Sequence, residues 1–249
     1  MIIVKTIHTF PLLLILIFMP ALSAQQEITL ANGEWPPWLS ENLPYYGLAS
    51  RIVTQAFSLE NIKVNYKFYP WKRGYREAQM GLLNGTLLWN KSTQREKFFY
   101  YSDRVLTGKT VIFHLKKKTI NWETSADLKK YRVGATLGYN YGEEFERLIK
   151  EIDVQFVPSD AQNFKKLLQG RIDIFFLDIA IGNTILKALY SPETVALFTS
   201  HPKPIRKMGY YLLFSKENPN NKSLLKKFNL GLSKLNENGT LQRFIDESH

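Results

Sequence analysis

Residues 87–102 read LLWNKSTQREKFFYYS, and this stretch passes from an apolar run typical of a buried strand into a short polar loop. The apolar run ends at Asn90, and the loop carries Ser92, Thr93 and Arg95. In open parallel sheets, ligands bind in the crevice beyond the carboxyl ends of the strands. We therefore expect this loop to form one side of a ligand-binding cleft.

A second stretch has the same pattern. Residues 172–178 read IDIFFLD, in which apolar residues expected to be buried on both faces of a sheet are followed at once by Asp178. Two such strand ends predict two sheets that face one cleft, with Asp178 on the side opposite Arg95.

The hydrophobic periodicity around these two stretches predicts the order strand, helix, strand, helix, glycine, apolar strand in each half of the chain. Crossover helices make the strands of such units parallel, so the predicted class is α/β, with two lobes that each hold a mostly parallel sheet flanked by helices. The predicted strands are 27–31, 62–68, 110–115, 131–137, 154–157 and 209–214. The predicted helices are 47–57, 71–80, 141–149, 159–168, 179–189, 219–236 and 240–246, with a turn at 125–128 and a loop at 199–207.

The last elements are too few to form a domain of their own, and we expect them to return to the first lobe. The chain would then cross between the lobes twice, near Thr107 and near Met208. This predicts a first lobe of residues 25–107 and 209–249 and a second lobe of residues 108–208, joined by a hinge of two crossings.

The N-terminal residues 1–24 have the pattern of a secretory signal peptide: Lys5, an apolar run over 11–22, and small residues before the predicted cleavage after Ala24 or one residue earlier. The run is shorter than the roughly 20 residues that span a bilayer. The sequence has no cysteine, which excludes disulfides, a thiol nucleophile and a lipid-modified cysteine. We therefore expect export to the periplasm as a freely diffusing protein.

The formal net charge of +11 raises the question of a nucleic-acid partner. The lysines are dispersed along the chain except at 116–118, so we expect no nucleic-acid partner. His114, His201 and His249 have no metal-ligand spacing, and no nucleophile elbow, phosphate loop or dinucleotide fingerprint is present. We therefore expect no catalytic residues, no metal site and no cofactor.

Five short motifs occur in an order and spacing that resemble those of the bacterial extracellular solute-binding proteins of family 3. These are the receptors of polar amino acid ABC transporters, and the resemblance covers nearly all of the chain after residue 24. The motifs are Trp35-Pro36-Pro37-Trp38, Ser92-Thr93-Gln94-Arg95 with Tyr101-Ser102-Asp103, Asp127-Leu128, Gly170-Arg171-Ile172-Asp173 leading to Asp178, and Asn238-Gly239-Thr240-Leu241.

The resemblance implies a monomeric two-lobe clamp that closes over a small ligand, such as an α-amino acid, and presents it to a membrane permease. It implies that Arg95 holds the ligand carboxylate in a bidentate fork, next to Ser92 in the same loop. It also implies that Asp178 takes the ligand ammonium from the other lobe. Without the resemblance, Arg95 reads equally well as a surface arginine and Asp178 as a helix N-cap.

The sequence departs from the family pattern at several binding positions. Asn90 stands where a hydroxyl residue commonly helps to hold the carboxylate. Gly138 is followed by Tyr139-Asn140-Tyr141 rather than by a small hydroxyl residue, and the tyrosines would shrink or reshape the pocket. Asn32 stands where some receptors of basic amino acids carry an acid, so lysine and arginine are not favoured as ligands.

Aromatic residues are the remaining candidates for contact with the ligand. The resemblance implies that Trp35 lies over the ligand, whereas Trp71 and Trp89 are more typical of core and hinge packing. Two other functions stay open on the same fold: a dehydratase of prephenate-like acids, with Asp178 as the acid, and a receptor that docks on a membrane sensor protein.

Overall fold

The computed structural model describes residues 25–137, 139, 141 and 143–247, and within them the chain builds one mixed sheet with helices packed against it. The strands are β1 (Gln26–Asn32), β2 (Ile62–Phe68), β3 (Gly85–Trp89), β4 (Phe99–Leu115), β5 (Val133–Thr136), β6 (Val154–Val157), β7 (Ile174–Asp178), β8 (Phe198–Ser200) and β9 (Arg206–Ser215). The helices are α1 (Leu48–Ser58), α2 (Trp71–Gln79), α3 (Thr93–Glu96), α4 (Glu143–Leu148), α5 (Asp160–Leu168), α6 (Ile179–Leu189), α7 (Pro192–Val195), α8 (Asn221–Glu237) and α9 (Thr240–Asp246). The predicted signal peptide lies outside the described residues.

The strand order is β2-β1-β3-β9-β4-β7-β5-β6, with β8 beside β4. At one end β2, β1 and β3 are parallel, and at the other end β7, β5 and β6 are parallel. The antiparallel pair of β4 and β9 lies between the two parallel sets. This confirms the predicted α/β class, with the two mostly parallel sets joined through the β4–β9 pair into one continuous sheet rather than standing as two separate sheets.

The β4–β9 pair connects the two parallel sets because both strands are long: β9 also pairs with β3, and β4 also pairs with β7. The pairing runs from Phe99 opposite Ser215 to Thr110 opposite Arg206, with register shifts near Arg104. The sequence predicted only residues 110–115 and 209–214 as strands here. The segments that precede these two predicted strands, residues 99–109 and 206–208, are also extended because their backbone groups find partners across the pair.

Helices cover the parallel sets because each has one apolar face. Helix α1 buries Ile52, Val53 and Phe57, and α8 packs against it through Phe228. A Cβ at Gly231 of α8 would lie 2.0 Å from the carbonyl oxygen of Ala56, so only glycine permits this close helix contact. A separate apolar cluster, which includes Val133, Phe145 and Phe176, forms the core under β5 and α4.

Among the residues that the structure describes, no helix is long and apolar enough to cross a membrane.

Candidate ligand-binding site

A cleft of ≈ 380 Å³ lies where the two parallel sets face each other across the β4–β9 pair. Its walls carry many aromatic rings and four charged side chains. The charged residues are Glu34, Arg95, Asp178 and Arg206. The aromatic residues are Trp35, Trp71, Trp89, Tyr139, Tyr141, Phe176 and Tyr210.

Arg95 enters the cleft from α3, directly after β3, as the opening stretch of the sequence predicted. Its Nη1 donates to Asn90 Oδ1 at 2.6 Å and to the Asn90 backbone oxygen at 3.1 Å. The guanidinium carbon lies 4.7 Å from the centre of the Trp89 ring, over its face. A guanidinium has five N–H donors, and these two bonds use only Nη1. Asn90 therefore orients the arginine through Nη1, and neither of these bonds uses Nη2 or Nε.

Asp178 is the last residue of β7 and the N-cap of α6. Its Oδ1 accepts from the Ala180 backbone N–H at 3.0 Å, and its Oδ2 accepts from the Lys109 N–H at 2.9 Å. Burial raises the pKa of this carboxyl, and the backbone donors partly offset that rise. The residue therefore caps a helix and also presents an acid to the cleft.

Gly108 in β4 makes room for Asp178. A Cβ at this position would lie 2.6 Å from Asp178 Oδ2 and 2.6 Å from Tyr210 Cε2. The carboxylate and the tyrosine ring therefore share the space that a side chain would fill. Burial, followed by the negative charge of Asp178, raises the pKa of the Tyr210 hydroxyl.

Trp35 and Tyr139 approach each other across the cleft from the two parallel sets. The Trp35 ring meets Tyr210 edge to face at 5.1 Å between centroids and Trp71 at 6.2 Å. The Tyr139 hydroxyl donates to Asp160 Oδ2 at 2.8 Å. Burial and the Asp160 charge raise the pKa of Tyr139, and a side-chain hydrogen bond with Trp35 acts in the opposite direction.

Asp160 anchors a buried polar network behind Tyr139. Thr136 Oγ1 donates to Asp160 Oδ1 at 2.5 Å, and Asn163 Nδ2 donates to Thr136 Oγ1 at 3.1 Å. The Tyr141 hydroxyl accepts from the Thr136 N–H at 2.7 Å. Burial raises the pKa of Asp160, and the two hydroxyl donors oppose that rise. Burial also raises the pKa of Tyr141 to about 12.

Five of the residues singled out from the sequence line the cleft together: Asn90, Arg95, Asp178, Trp35 and Tyr139.

Asn32 and Ser92 are not among the residues that line the cleft. Asn32 is 4% exposed; its amide donates to Ser50 Oγ at 2.8 Å and accepts from the Gly33 N–H at 3.0 Å. Both ends of this amide are therefore used, one by a serine of α1 and the other by the backbone directly after β1. Ser92 is the N-cap residue of α3, and its backbone N–H donates to the Tyr101 hydroxyl at 3.2 Å. Gly138 lies outside the described residues.

The sequence did not single out Arg206 and Tyr210 as cleft residues, whereas Tyr141, expected beside Tyr139 to reshape the pocket, lines the cleft. Arg206, Met208 and Tyr210 alternate along β9, which places them on one face of the strand. That alternation was the available signal, but it begins inside the predicted loop 199–207. Trp71 and Trp89, which the sequence assigned to packing, pack on each other at 5.5 Å and also line the cleft.

A second groove of ≈ 580 Å³ lies between β4 and the helices α8 and α9. It is larger and also carries opposite charges, but among the described residues its lining has a single aromatic residue, Trp38, and neither Arg95 nor Arg206 borders it. Asp178 borders both spaces. The smaller cleft is the better candidate because its opposite charges converge on a wall rich in aromatic rings.

Comparison with protein-family profiles gives no match. The L-cystine-binding protein TcyJ of Escherichia coli strain K12 is 29% identical over 125 residues, which are 50% of this chain and 44% of the relative's length. The chain thus spans less than half of the relative that it matches. This relative confirms the resemblance to amino-acid-binding proteins that the sequence motifs indicated.

Solved structures match over almost the whole chain. Substrate binding domain 2 of Lactococcus lactis GlnP, in an open conformation, has a TM-score of 0.71 at 19% identity, covering 90% of this chain and 96% of that one. A histidine kinase sensor domain with similarity to periplasmic binding proteins has a TM-score of 0.67 at 16% identity, covering 90% and 96%. The chain therefore has the two-lobe, type II fold of the periplasmic binding proteins.

Proposed function

We propose that this protein is a periplasmic solute-binding protein that captures an α-amino acid between its two lobes and presents it to an ABC permease. The observation that carries the proposal is the convergence of Arg95 and Asp178 on one cleft from the two parallel sets of strands. A planar guanidinium fits two carboxylate oxygens, and a buried carboxylate fits an ammonium group. The two charges of a zwitterion are the complement of this pair.

The ligand α-carboxylate binds the Arg95 N–H groups that Asn90 does not engage. The α-ammonium donates to Asp178, whose oxygens can each accept a second hydrogen bond beside the backbone donors. Bringing an ammonium next to this carboxylate offsets the cost of its burial, which is the cost that raises its pKa in the empty protein. The ligand side chain lies among the aromatic rings.

We propose that the lobes are residues 25–107 with 209–249, and residues 108–208. The pairs Thr107–Gly209 and Gly108–Met208 lie next to each other in the β4–β9 ribbon, at the two predicted crossings. A ribbon of two strands can bend with little loss of packing, and bending would close the cleft over the ligand. The signal-peptide pattern of residues 1–24 supports export to the periplasm, and the proposed protein acts there as a monomer.

A thermal-shift screen of the purified protein tests the proposal. The screen covers the 20 common L-amino acids, cystine, small peptides and organic acids. A ligand that binds only the folded state adds about 2.7 kcal/mol of stability at 100 times its Kd. At least one amino acid should raise Tm by several degrees, and folded protein with no shift from any amino acid would overturn the proposal.

The same sample separates binding from catalysis. Prephenate and arogenate, incubated with the protein, should be recovered unchanged. Turnover of either acid would favour the dehydratase alternative over a binding protein.

The second candidate role is that of a receptor that docks on a membrane sensor protein. The similarity in fold to a histidine kinase sensor domain supports this role as an alternative. Affinity capture with the ligand-loaded protein separates the two partners. Recovery of permease subunits supports transport, whereas recovery of a membrane sensor kinase supports signalling.

A further inference from the structure

The cleft contains one more cationic side chain than the binding of a zwitterion requires. Arg95 and Asp178 are assigned to the α-carboxylate and the α-ammonium. Glu34 is exposed, and its Oε1 accepts from the Glu41 backbone N–H at 2.8 Å. Arg206 is partly buried, lines the same cleft and has no role in holding the two α-groups.

The strand register fixes where Arg206 stands relative to Asp178. Thr110 of β4 lies opposite Asp178 of β7 on one side and opposite Arg206 of β9 on the other. Residues directly opposite in antiparallel strands point to the same face and have Cα atoms about 5 Å apart. Arg206 and Asp178 therefore project from one face of the sheet, with Cα atoms roughly 10 Å apart.

The wall around Arg206 is mainly apolar. Met208 and Tyr210 follow it on the same face of β9, and Phe176 precedes Asp178 on the cleft face of β7. Burial lowers the pKa of Arg206. An anion is more strongly attracted to a guanidinium in such surroundings than at an open surface, because water screens the charges less.

We propose that Arg206 is a second anion-binding residue of the cleft, and that the ligand is an amino acid whose side chain carries a carboxylate or another anionic group. This inference rests on the proposed function, since it assumes that Arg95 and Asp178 hold the α-groups. A ligand anchored at Asp178 extends its side chain along the row through Thr110 to Arg206. A lysine or arginine side chain in the same position meets a like charge.

The test compares acids with their amides, which have nearly the same shape. Titration calorimetry of the wild-type protein covers three side-chain lengths: L-aspartate against L-asparagine, L-glutamate against L-glutamine, and L-α-aminoadipate against its side-chain amide, L-homoglutamine. For the best-fitting length, we expect the acid to bind at least about tenfold more tightly than its amide. Equal or tighter binding of the amide, or tighter binding of any other neutral or cationic amino acid, would overturn the inference while leaving the proposed function intact.

Arg206→Met then identifies the residue responsible. This substitution should raise the Kd of the acid by about tenfold or more and the Kd of the amide by less than about threefold, so that the preference for the acid disappears. Arg206→Lys keeps the charge, should retain most of the preference, and serves as the second variant if Arg206→Met does not fold. Arg104→Met, at an exposed arginine of β4 that borders the other groove, is the matched control and should bind as wild type.

An equal loss for acid and amide in Arg206→Met would assign Arg206 a structural role and refute the inference. If no amino acid of any charge binds the wild-type protein, the proposed function itself fails, and this inference fails with it. The two failures are therefore distinguishable.

Discussion

Replacing Gly108 by alanine should damage ligand binding more than it damages folding. The added Cβ would lie 2.6 Å from Asp178 Oδ2 and 2.6 Å from Tyr210 Cε2, whereas real Cβ contacts essentially never fall under 3.0 Å. The Asp178 carboxylate and the Tyr210 ring must each move away by at least about 0.4 Å, or the strand itself must shift. Overpacking of this kind costs about 1–3 kcal/mol.

For a chain of this length, each kcal/mol lowers Tm by about 2–4 °C, so the expected fall is roughly 2–12 °C. The displaced Asp178 meets the ligand ammonium in poorer geometry, and we expect Kd to rise by about tenfold or more. Thermal melts give the first quantity, and titration calorimetry with the amino acid found by screening gives the second.

Gly239→Ala is the matched control for stability. Its φ of +75° disfavours alanine, and nothing lies within 4 Å of the added Cβ. It should cost about 1–2 kcal/mol of stability through the backbone alone and leave Kd unchanged. If Gly108→Ala lowers Tm but binds the ligand as tightly as the wild type, Asp178 does not hold the ligand.

Three further predictions address the same cleft. Arg95→Met should raise Kd by about 30-fold or more, because it leaves a buried ligand carboxylate without its partner at a cost of about 2–5 kcal/mol. The control Arg76→Met, at an exposed residue of α2, should bind the ligand as the wild type does. Equal affinities of Arg95→Met and the wild type in calorimetry would refute the role of Arg95. Tyr139→Phe removes a donor from the buried Asp160 carboxylate, so the free energy of unfolding at pH 7 should fall by about 1–3 kcal/mol, as measured by urea denaturation; a stability equal to that of the wild type would contradict the network. Burial raises the pKa of Asp178, so the contribution of this carboxyl to the stability of the empty protein is most favourable below its unfolded pKa and is lost as pH rises through the folded pKa. The ligand ammonium favours the ionised carboxylate, so ligand affinity should weaken as pH falls from 7 towards 4. A Kd that stays constant over this range would count against the pairing of Asp178 with the ammonium.

The sequence predicted most of the elements that position the cleft, because their patterns are local. The strand Ile62–Phe68 and the helix Ile179–Leu189 were predicted with the bounds they have. Asp178 was predicted to lie at the cleft because a polar residue ending a buried strand is a local signal, and Arg95 was predicted there in the same way, at the loop that follows β3. Both line the cleft, and their contact with a ligand stays a prediction.

What the sequence could not predict depends on contacts between distant segments. Arg206 lies in a segment that the prolines marked as a loop, and it becomes part of β9 only through its pairing with Thr110. Asp160 has the pattern of an ordinary acid in the first turn of a helix, and its bond to Tyr139 depends on how α5 packs against β5. Asn90 was predicted to be a ligand-binding residue; it lines the cleft, and its side-chain oxygen also accepts from Arg95.

The lobe boundaries stay a prediction that a hinge variant can address. The signal peptide and the role of Gly138 fall on residues outside the described part of the chain.

The most direct measurement of the central claim alters the ligand and leaves the protein unchanged. The amino acid found by screening is titrated into the wild-type protein beside two analogues, the amine that lacks its α-carboxylate and the acid that lacks its α-ammonium. If Arg95 and Asp178 hold these two groups in one cleft, each analogue should lose at least about 2 kcal/mol of binding free energy, which is a Kd about 30-fold higher. An analogue that binds as tightly as the parent amino acid would contradict the clamp.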